Sequence, residues 1–216
     1  LLITNNKLGE LLGRTGSSVV VQSEIKHDVN LNQDIWVHYI LTVDHNMPKD
    51  AEGVPLTTNV LISPLDYQGA DYVYTFVNYQ QVMGSNGVLQ DIGILTVAGL
   101  APLNYPGFYP LGVQNVVPGE EVQTNSDTYF EFGYPYPSTK PQFTVSTLTS
   151  KYEVNGNKLA ELEPFIDSSV TNVGQSGGAV CNQYGQLIGL HEGHQGNWAR
   201  TSVSVLMPGN IQEQIN

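Results

Sequence analysis

GQSGGAV, residues 174–180, is the most informative segment of the chain. It places Ser176 among glycines, directly before an apolar run that is typical of a β-strand. Glycines let the backbone turn so that two amide N–H groups converge on one point. We expect the amides of Gly174 and Ser176 to form such an oxyanion hole. A run of this kind is most often only a turn, so its meaning depends on the rest of the chain.

Two other segments supply the partners that a serine nucleophile needs. YILTVDHN, residues 39–46, is a predicted strand that ends at His45, and LQDIGILTV, residues 89–97, carries Asp91 before an apolar strand. A serine hydroxyl is a poor nucleophile until an imidazole can take its proton, and the imidazole needs a carboxylate to fix its tautomer. Asp44 could compete for the imidazole, but strand alternation points it away, so we expect Asp91.

The rest of the sequence predicts an all-β protein. Short β-rich stretches recur between Gly, Pro, Asn and Asp residues, as in a barrel or sandwich. A helical pattern is found only at Leu206–Ile215, where we predict a short closing helix. The predicted strands are Ser18–Gln22, Asp34–Val43, Thr58–Ile62, Tyr72–Val77, Ile92–Val97, Glu121–Val122, Thr128–Gly133, Gln142–Leu148, Ala179–Asn182, Gln186–Leu190 and Ala199–Val205.

The glycines around Ser176 also fit the nucleophile elbow of α/β-hydrolases. That fold needs a helix after the serine and the chain order Ser, Asp or Glu, His. The sequence has no Asp after Ser176, and residues 179–190 have the pattern of a β-hairpin. The α/β-hydrolase interpretation therefore fails.

Composition excludes several other classes of protein. The net charge is −12, with eight Lys and Arg residues against twenty Asp and Glu. Such a chain has no basic patch for nucleic acid or for an anionic membrane. Cys181 is the only cysteine, which rules out an intramolecular disulfide. His191, Glu192 and His194 lack the H-E-x-x-H spacing of a metal site, so we expect no metal and no cofactor.

The motifs together resemble the chymotrypsin-like serine peptidases, most closely the bacterial glutamyl endopeptidases of the staphylococcal V8 protease type. The similar segments are ILTVDH (residues 40–45), DIGIL (91–95), FGYPYP (132–137), GQSGGAV (174–180) and GQLIGLHEG (185–193). The resemblance implies two antiparallel Greek-key β-barrels in one peptidase domain, over about 1–105 and 106–216. It also implies that His45 is the general base, Asp91 its orienting carboxylate and Ser176 the nucleophile.

The same resemblance implies a preference for Glu or Asp before the cut. His191, Thr171 and Gly193, with the α-amino group of Leu1, would form the S1 pocket that receives the acidic side chain. A carboxylate entering a partly buried pocket needs a cation and hydrogen-bond donors. Glu192 stands where the family has a tryptophan, and its charge should disfavour acidic residues near the cut.

The resemblance further implies a secreted bacterial protein made as a precursor, and we expect a monomer that acts on polypeptides. Two alternatives stay open at this point. One is a narrowly specific protease of the toxin-like or viral type. The other is a non-catalytic binding protein that keeps the protease fold, although such relatives typically lose a catalytic residue.

Overall fold

The computed structural model describes residues 2–6, 11–62, 72–103, 110–124, 128–135, 141–166, 168–194 and 200–216; for residues 2–6, 11–15 and 194 it describes the backbone alone. These ranges contain thirteen β-strands and one short α-helix. They are β1 Leu2–Asn6, β2 Leu11–Gly16, β3 Val19–Asp28, β4 Gln33–Thr42, β5 Thr57–Ile62, β6 Tyr72–Met83, β7 Leu89–Gly99, β8 Thr128–Gly133, β9 Gln142–Val154, β10 Asn157–Pro164, β11 Ala179–Cys181, β12 Leu187–His194, β13 Ser202–Leu206 and α1 Ile211–Ile215. The predicted all-β fold is confirmed.

The N-terminal half is a seven-stranded antiparallel sheet in the order β2-β1-β5-β6-β7-β4-β3. The pairing of β4 with β7 places Thr42 opposite Gly93. Because the strands are antiparallel, the chain that leaves β4 lies beside the start of β7. A short 3-10 turn, Asp44–Asn46, follows β4 there and carries His45. The register of one strand pair thus brings His45 and Asp91 to the same corner of the sheet.

The C-terminal half is a closed barrel in the order β10-β13-β12-β11-β8-β9. The Ser176 loop leads directly into β11, which pairs with β12 on one side and β8 on the other. A closed barrel has no unpaired edge, so the positions of its inward-facing side chains are fixed by the strand register. The predicted boundary near residue 105 lies outside the described residues.

The two halves share a hydrophobic core, which is what stabilises a chain without a disulfide. Each fully buried aliphatic side chain contributes roughly 1.5–3 kcal/mol. The largest described cluster draws on both halves and includes Val21, Leu41, Val43, Ile92, Ile94, Leu159, Leu187, Leu190, Val205, Met207 and Ile211.

The predicted short C-terminal helix is confirmed, but it spans only Ile211–Ile215, because Leu206 completes β13 and Pro208 and Gly209 separate strand from helix. The prediction of a strand at Glu121–Val122 is wrong, since these residues belong to a turn that the Val122 N–H closes by donating to the Gly119 carbonyl. Strands β1, β2 and β10 were not predicted; in β10, charged residues obscure the alternation in the sequence.

Of the helices in the described residues, none is both long enough and apolar enough to cross a membrane.

Candidate active site

His45 and Asp91 are joined by two hydrogen bonds. The imidazole Nδ1 lies 2.7 Å from Asp91 Oδ2, and the backbone N–H of His45 donates to Oδ1 at 2.9 Å. Both carboxylate oxygens are therefore used by one residue, which fixes the ring plane. The hydrogen bond that the imidazole donates to Asp91 raises the pKa of His45, and burial opposes this only in part. The pair has the geometry of a base and its orienting carboxylate.

Asp44, the alternative partner, points elsewhere. Its Oδ1 accepts hydrogen bonds from the Tyr79 hydroxyl and the Lys49 ammonium group. Burial, and then the hydrogen bond to Asp44, raise the pKa of Tyr79 far above its ordinary range, so the phenol stays a proton donor. Asp44 therefore bonds to Lys49 and Tyr79, and Asp91 is the carboxylate that accepts the hydrogen bond of the His45 ring.

Two backbone amides of the Ser176 loop make no hydrogen bond to the described part of the protein. Gly174 has φ +93°, a conformation that favours glycine. Within the described residues, neither the Gly174 N–H nor the Ser176 N–H donates to a protein acceptor, whereas the amides of Gln175, Gly177 and Gly178 all do. Two free amides in one tight loop are what an oxyanion hole requires.

The Ser176 hydroxyl donates to the backbone carbonyl of Glu192 at 2.9 Å. A serine hydroxyl has a single proton, so this arrangement directs the proton to the β12 backbone.

Glycine is required at two positions of the loop for steric reasons. At Gly177, with φ +89°, a Cβ would lie 2.1 Å from the Ser17 carbonyl oxygen. At Gly178 it would lie 2.0 Å from the Phe132 carbonyl oxygen. Real Cβ atoms do not approach backbone oxygens so closely, so the GQSGG spacing is set by packing as well as by turn conformation.

Two residues of the N-terminal half, Ser17 and Asn46, anchor the loop by hydrogen bonds, and neither was predicted from the sequence. The buried Ser17 hydroxyl donates to the Gly174 carbonyl at 2.9 Å, and its backbone N–H donates to the Ser176 carbonyl at 2.7 Å. Asn46 Nδ2 donates to the same Ser176 carbonyl at 2.8 Å. These bonds turn the carbonyls of Gly174 and Ser176 toward the N-terminal half. No local motif marks Ser17, whereas Asn46 could have been noticed as the residue after His45.

The structure describes three of the four predicted S1 residues, His191, Thr171 and Gly193. His191 is 1% exposed on β12, and its backbone bonds to the serine loop through the Gly177 N–H (2.8 Å) and the Gly178 carbonyl (2.9 Å). Thr171 is also buried, in the segment before the loop. A Cβ at Gly193 would meet nothing within 4 Å, so this part of β12 borders open space. Leu1 lies outside the described residues.

Glu192 is the extra residue of a β-bulge. His191 faces Ser204 and Gly193 faces Val203, so Glu192 has no partner on β13. Bulges re-aim side chains beside active sites, and here the carboxyl group is mostly buried near Asp91 and His45. Burial, followed by the charge of Asp91, raises its pKa, although His45 and His191 act in the opposite direction. Its Oε2 is buried without a hydrogen-bond partner among the described residues.

A carboxylate that the sequence analysis missed lies inside the C-terminal barrel. Glu131 on β8 is 1% exposed, and its Oε1 is 3.4 Å from Nδ1 of His191. The strand pattern alone could have shown that position 131 faces inward, since Tyr129 and Gly133 do so. Charged residues are rarely buried without a partner, so an inward-facing Glu was the available signal.

In the part of the chain that the structure describes, no three His, Cys, Asp or Glu side chains are grouped so as to hold a metal ion.

The two packed β units, with the Ser176 loop in the C-terminal half and the His45–Asp91 pair in the N-terminal half, have the arrangement of the trypsin-like peptidase fold. The trypsin-like peptidase domain family matches residues 16–190, and the chain belongs to this family. No curated protein sequence matches the chain significantly.

Solved structures of low sequence identity have the same fold. The HtrA-type protease AlgW with a tripeptide is 16% identical over 95% of this chain, with a TM-score of 0.58. The human heparin binding protein is 10% identical over 99% of this chain and 88% of its own, with a TM-score of 0.63. The active form of the Rv3671c protease of M. tuberculosis is 16% identical over 91% of this chain and 78% of its own, with a TM-score of 0.54. The chain spans 55% of the length of AlgW.

Proposed function

We propose that the protein is a secreted serine endopeptidase that uses His45, Asp91 and Ser176, forms an acyl-enzyme and prefers Glu or Asp before the cut. The observation that carries the catalytic part is the double hydrogen bond between Asp91 and His45. Membership of the trypsin-like peptidase family supports the reaction class.

The proposed reaction needs no group beyond those of the chain and water. Ser176 Oγ attacks the scissile carbonyl carbon while His45 Nε2 takes the hydroxyl proton, and the amides of Gly174 and Ser176 stabilise the oxyanion. His45 then gives the proton to the leaving amine as the C–N bond breaks. Water attacks the acyl-enzyme in the same way, and Ser176 leaves with the proton. Each oxyanion donor contributes about 3–4 kcal/mol of transition-state stabilisation.

His191 is the residue that supports the acidic preference. Its imidazole is buried, and its backbone is hydrogen-bonded to the loop that carries the nucleophile. Because a buried carboxylate needs a charge-assisted donor, an imidazolium beside the S1 pocket favours Glu or Asp over uncharged residues. The net charge of −12 opposes acidic substrates at long range, but salt screens that repulsion over roughly 8–10 Å.

The test of the reaction is Ser176→Ala, measured by peptide cleavage and by labelling with a fluorophosphonate. Both signals should disappear while the thermal unfolding temperature stays close to that of the wild type. Gly185→Ala, in an exposed turn far from the loop, is a matched control and should label normally. Full activity of Ser176→Ala would reject the mechanism, and a wild type that never labels would favour the non-catalytic binding protein.

The test of specificity is a peptide-library cleavage profile. Cleavage after Glu or Asp in many contexts supports the broad enzyme, and His191→Ala should then reduce cleavage after Glu far more than it reduces labelling. Cleavage only within one extended motif would support the narrowly specific alternative instead.

A further inference from the structure

Glu131 is a carboxylate sealed inside the C-terminal barrel. It projects inward from β8 and is 1% exposed. Burying a carboxylate is costly unless other groups compensate it, and an apolar residue at such a position is often as good for stability. The barrel fold therefore does not explain why position 131 is acidic.

The contacts of Glu131 come from three other strands. The Ser146 hydroxyl on β9 donates to Oε2 at 2.7 Å, and the Ser202 hydroxyl on β13 donates to Oε1 at 2.5 Å. The third contact is the Nδ1 of His191 on β12, 3.4 Å from Oε1. Two hydroxyl donors are the partners of an ionised carboxylate, and together they hold it against the histidine ring.

A carboxylate at this position restricts the protonation states of His191. Nδ1 must carry a proton, because a bare Nδ1 would place its lone pair against the negative oxygen. A neutral ring then has only an acceptor at Nε2. Nε2 becomes a donor only when the ring is an imidazolium, so donation and positive charge are coupled.

This coupling matters for the choice between Glu and Gln in the substrate. A neutral histidine with its proton on Nε2 could donate equally to a Glu carboxylate or to the carbonyl oxygen of Gln. An imidazolium favours the carboxylate strongly, because the hydrogen bond is then between opposite charges. A site that excludes the neutral ring with its proton on Nε2 therefore distinguishes Glu from Gln by the charge of the substrate side chain.

We propose that Glu131 is a positioning residue that holds His191 in its Nδ1-protonated form and thereby sets the preference for Glu over Gln. The proposal rests on the proposed function, in which His191 lies in the S1 pocket. Other groups that face His191 are Glu192, which follows it on β12 and interacts with its charge, and the uncharged Ser204 opposite it on β13.

The experiment compares kcat/KM for two peptides that differ only in Glu or Gln before the cut, from pH 5.5 to 8.5. In Glu131→Gln, the amide N–H₂ can donate to Nδ1 and so stabilise the neutral donor tautomer. We expect the Glu-to-Gln ratio to fall at least about tenfold across this pH range, mainly through KM. The control is Glu161→Gln, which removes one negative charge from a half-buried side chain on β10 of the same barrel. It should leave the Glu-to-Gln ratio of kcat/KM unchanged.

The outcomes separate the two proposals. A wild type that cleaves Glu and Gln peptides equally well rejects the acidic preference itself. A wild type that prefers Glu, with an unchanged ratio and pH profile in a folded Glu131→Gln, overturns the role of Glu131. Fluorophosphonate labelling reports whether the variant folds.

If Glu131→Gln does not fold, the wild-type protein still gives an answer. The ¹⁵N chemical shifts of the His191 ring distinguish a protonated Nδ1 from a protonated Nε2, and His191→Gln assigns the signal among the five histidines. At high pH the neutral ring should carry its proton on Nδ1. A proton on Nε2 would overturn the inference.

Discussion

Asp91→Asn is the substitution for which the structure makes the sharpest prediction. In the wild type, Oδ1 accepts the backbone N–H of His45 and Oδ2 faces Nδ1 of the ring. An asparagine here must keep its oxygen on the backbone N–H, because an N–H₂ group there would meet another donor. Its N–H₂ group is then directed at Nδ1. The ring must become an acceptor at Nδ1 and carry its proton on Nε2, where it can no longer take the proton of Ser176.

The size of the effect follows from the loss of the base rather than from loss of structure. When the carboxylate that orients the histidine of a serine protease is replaced by its amide, the wrong imidazole tautomer lowers kcat by about 10⁴. This corresponds to roughly 5.4 kcal/mol in the activation free energy. Because side-chain volume and the backbone hydrogen bond are kept, the unfolding temperature should change little.

The assay is kcat for an activated ester or peptide substrate, together with the rate of fluorophosphonate inactivation and a thermal melt. Asp44→Asn is the control, since that carboxylate bonds to Tyr79 and Lys49 and not to the His45 ring. A folded Asp91→Asn enzyme with kcat within tenfold of the wild type would refute the reasoning. So would an equal loss in Asp44→Asn without a loss of stability.

The remaining predictions concern the serine loop, pH and the cysteine. Gly177→Ala should have a free energy of unfolding in urea about 1–3 kcal/mol lower than that of Gly185→Ala. Both positions have positive φ, but only the new Cβ at 177 would meet a backbone oxygen, that of Ser17. Equal losses would mean that the loop can move aside. The pKa of His45 is raised above the ordinary histidine value of 6.5. Because the neutral ring is the base and is lost as pH falls, the rate of fluorophosphonate inactivation should decline at a pH above 6.5. The same shift stabilises the folded state below the unfolded pKa, and this contribution is lost as pH rises through the folded pKa; a decline only at or below pH 6.5 would contradict both. Burial raises the pKa of Cys181 to about 11, so a thiol reagent at neutral pH should modify it only in urea; rapid modification of the native protein would show that β11 opens.

Local sequence patterns were sufficient for the fold class and for the candidate His–Asp pair, and there is a physical reason for this. Alternation and turn residues act over a few positions, so most strands could be predicted, and the ends of β4 and β7 showed where His45 and Asp91 lie. The catalytic and S1 roles of these residues stay predictions. The supporting groups could not be foreseen, because Ser17 lies 157 residues from Gly174 and its hydrogen bond exists only after both halves pack. The partners of Glu131 could not be foreseen for the same reason, since they lie on three other strands, although the alternation of β8 already indicated that position 131 faces inward.

The hydrogen bonds that Ser17 and Asn46 make to the serine loop have a consequence for how the protein folds. The C-terminal barrel could close its strands on its own, but the Gly174 and Ser176 carbonyls would then lack the donors that orient them. A refolding chain should therefore regain β-sheet circular dichroism before it regains reactivity toward a fluorophosphonate. The delay between the recovery of circular dichroism and the recovery of labelling would measure the rate at which the two halves dock.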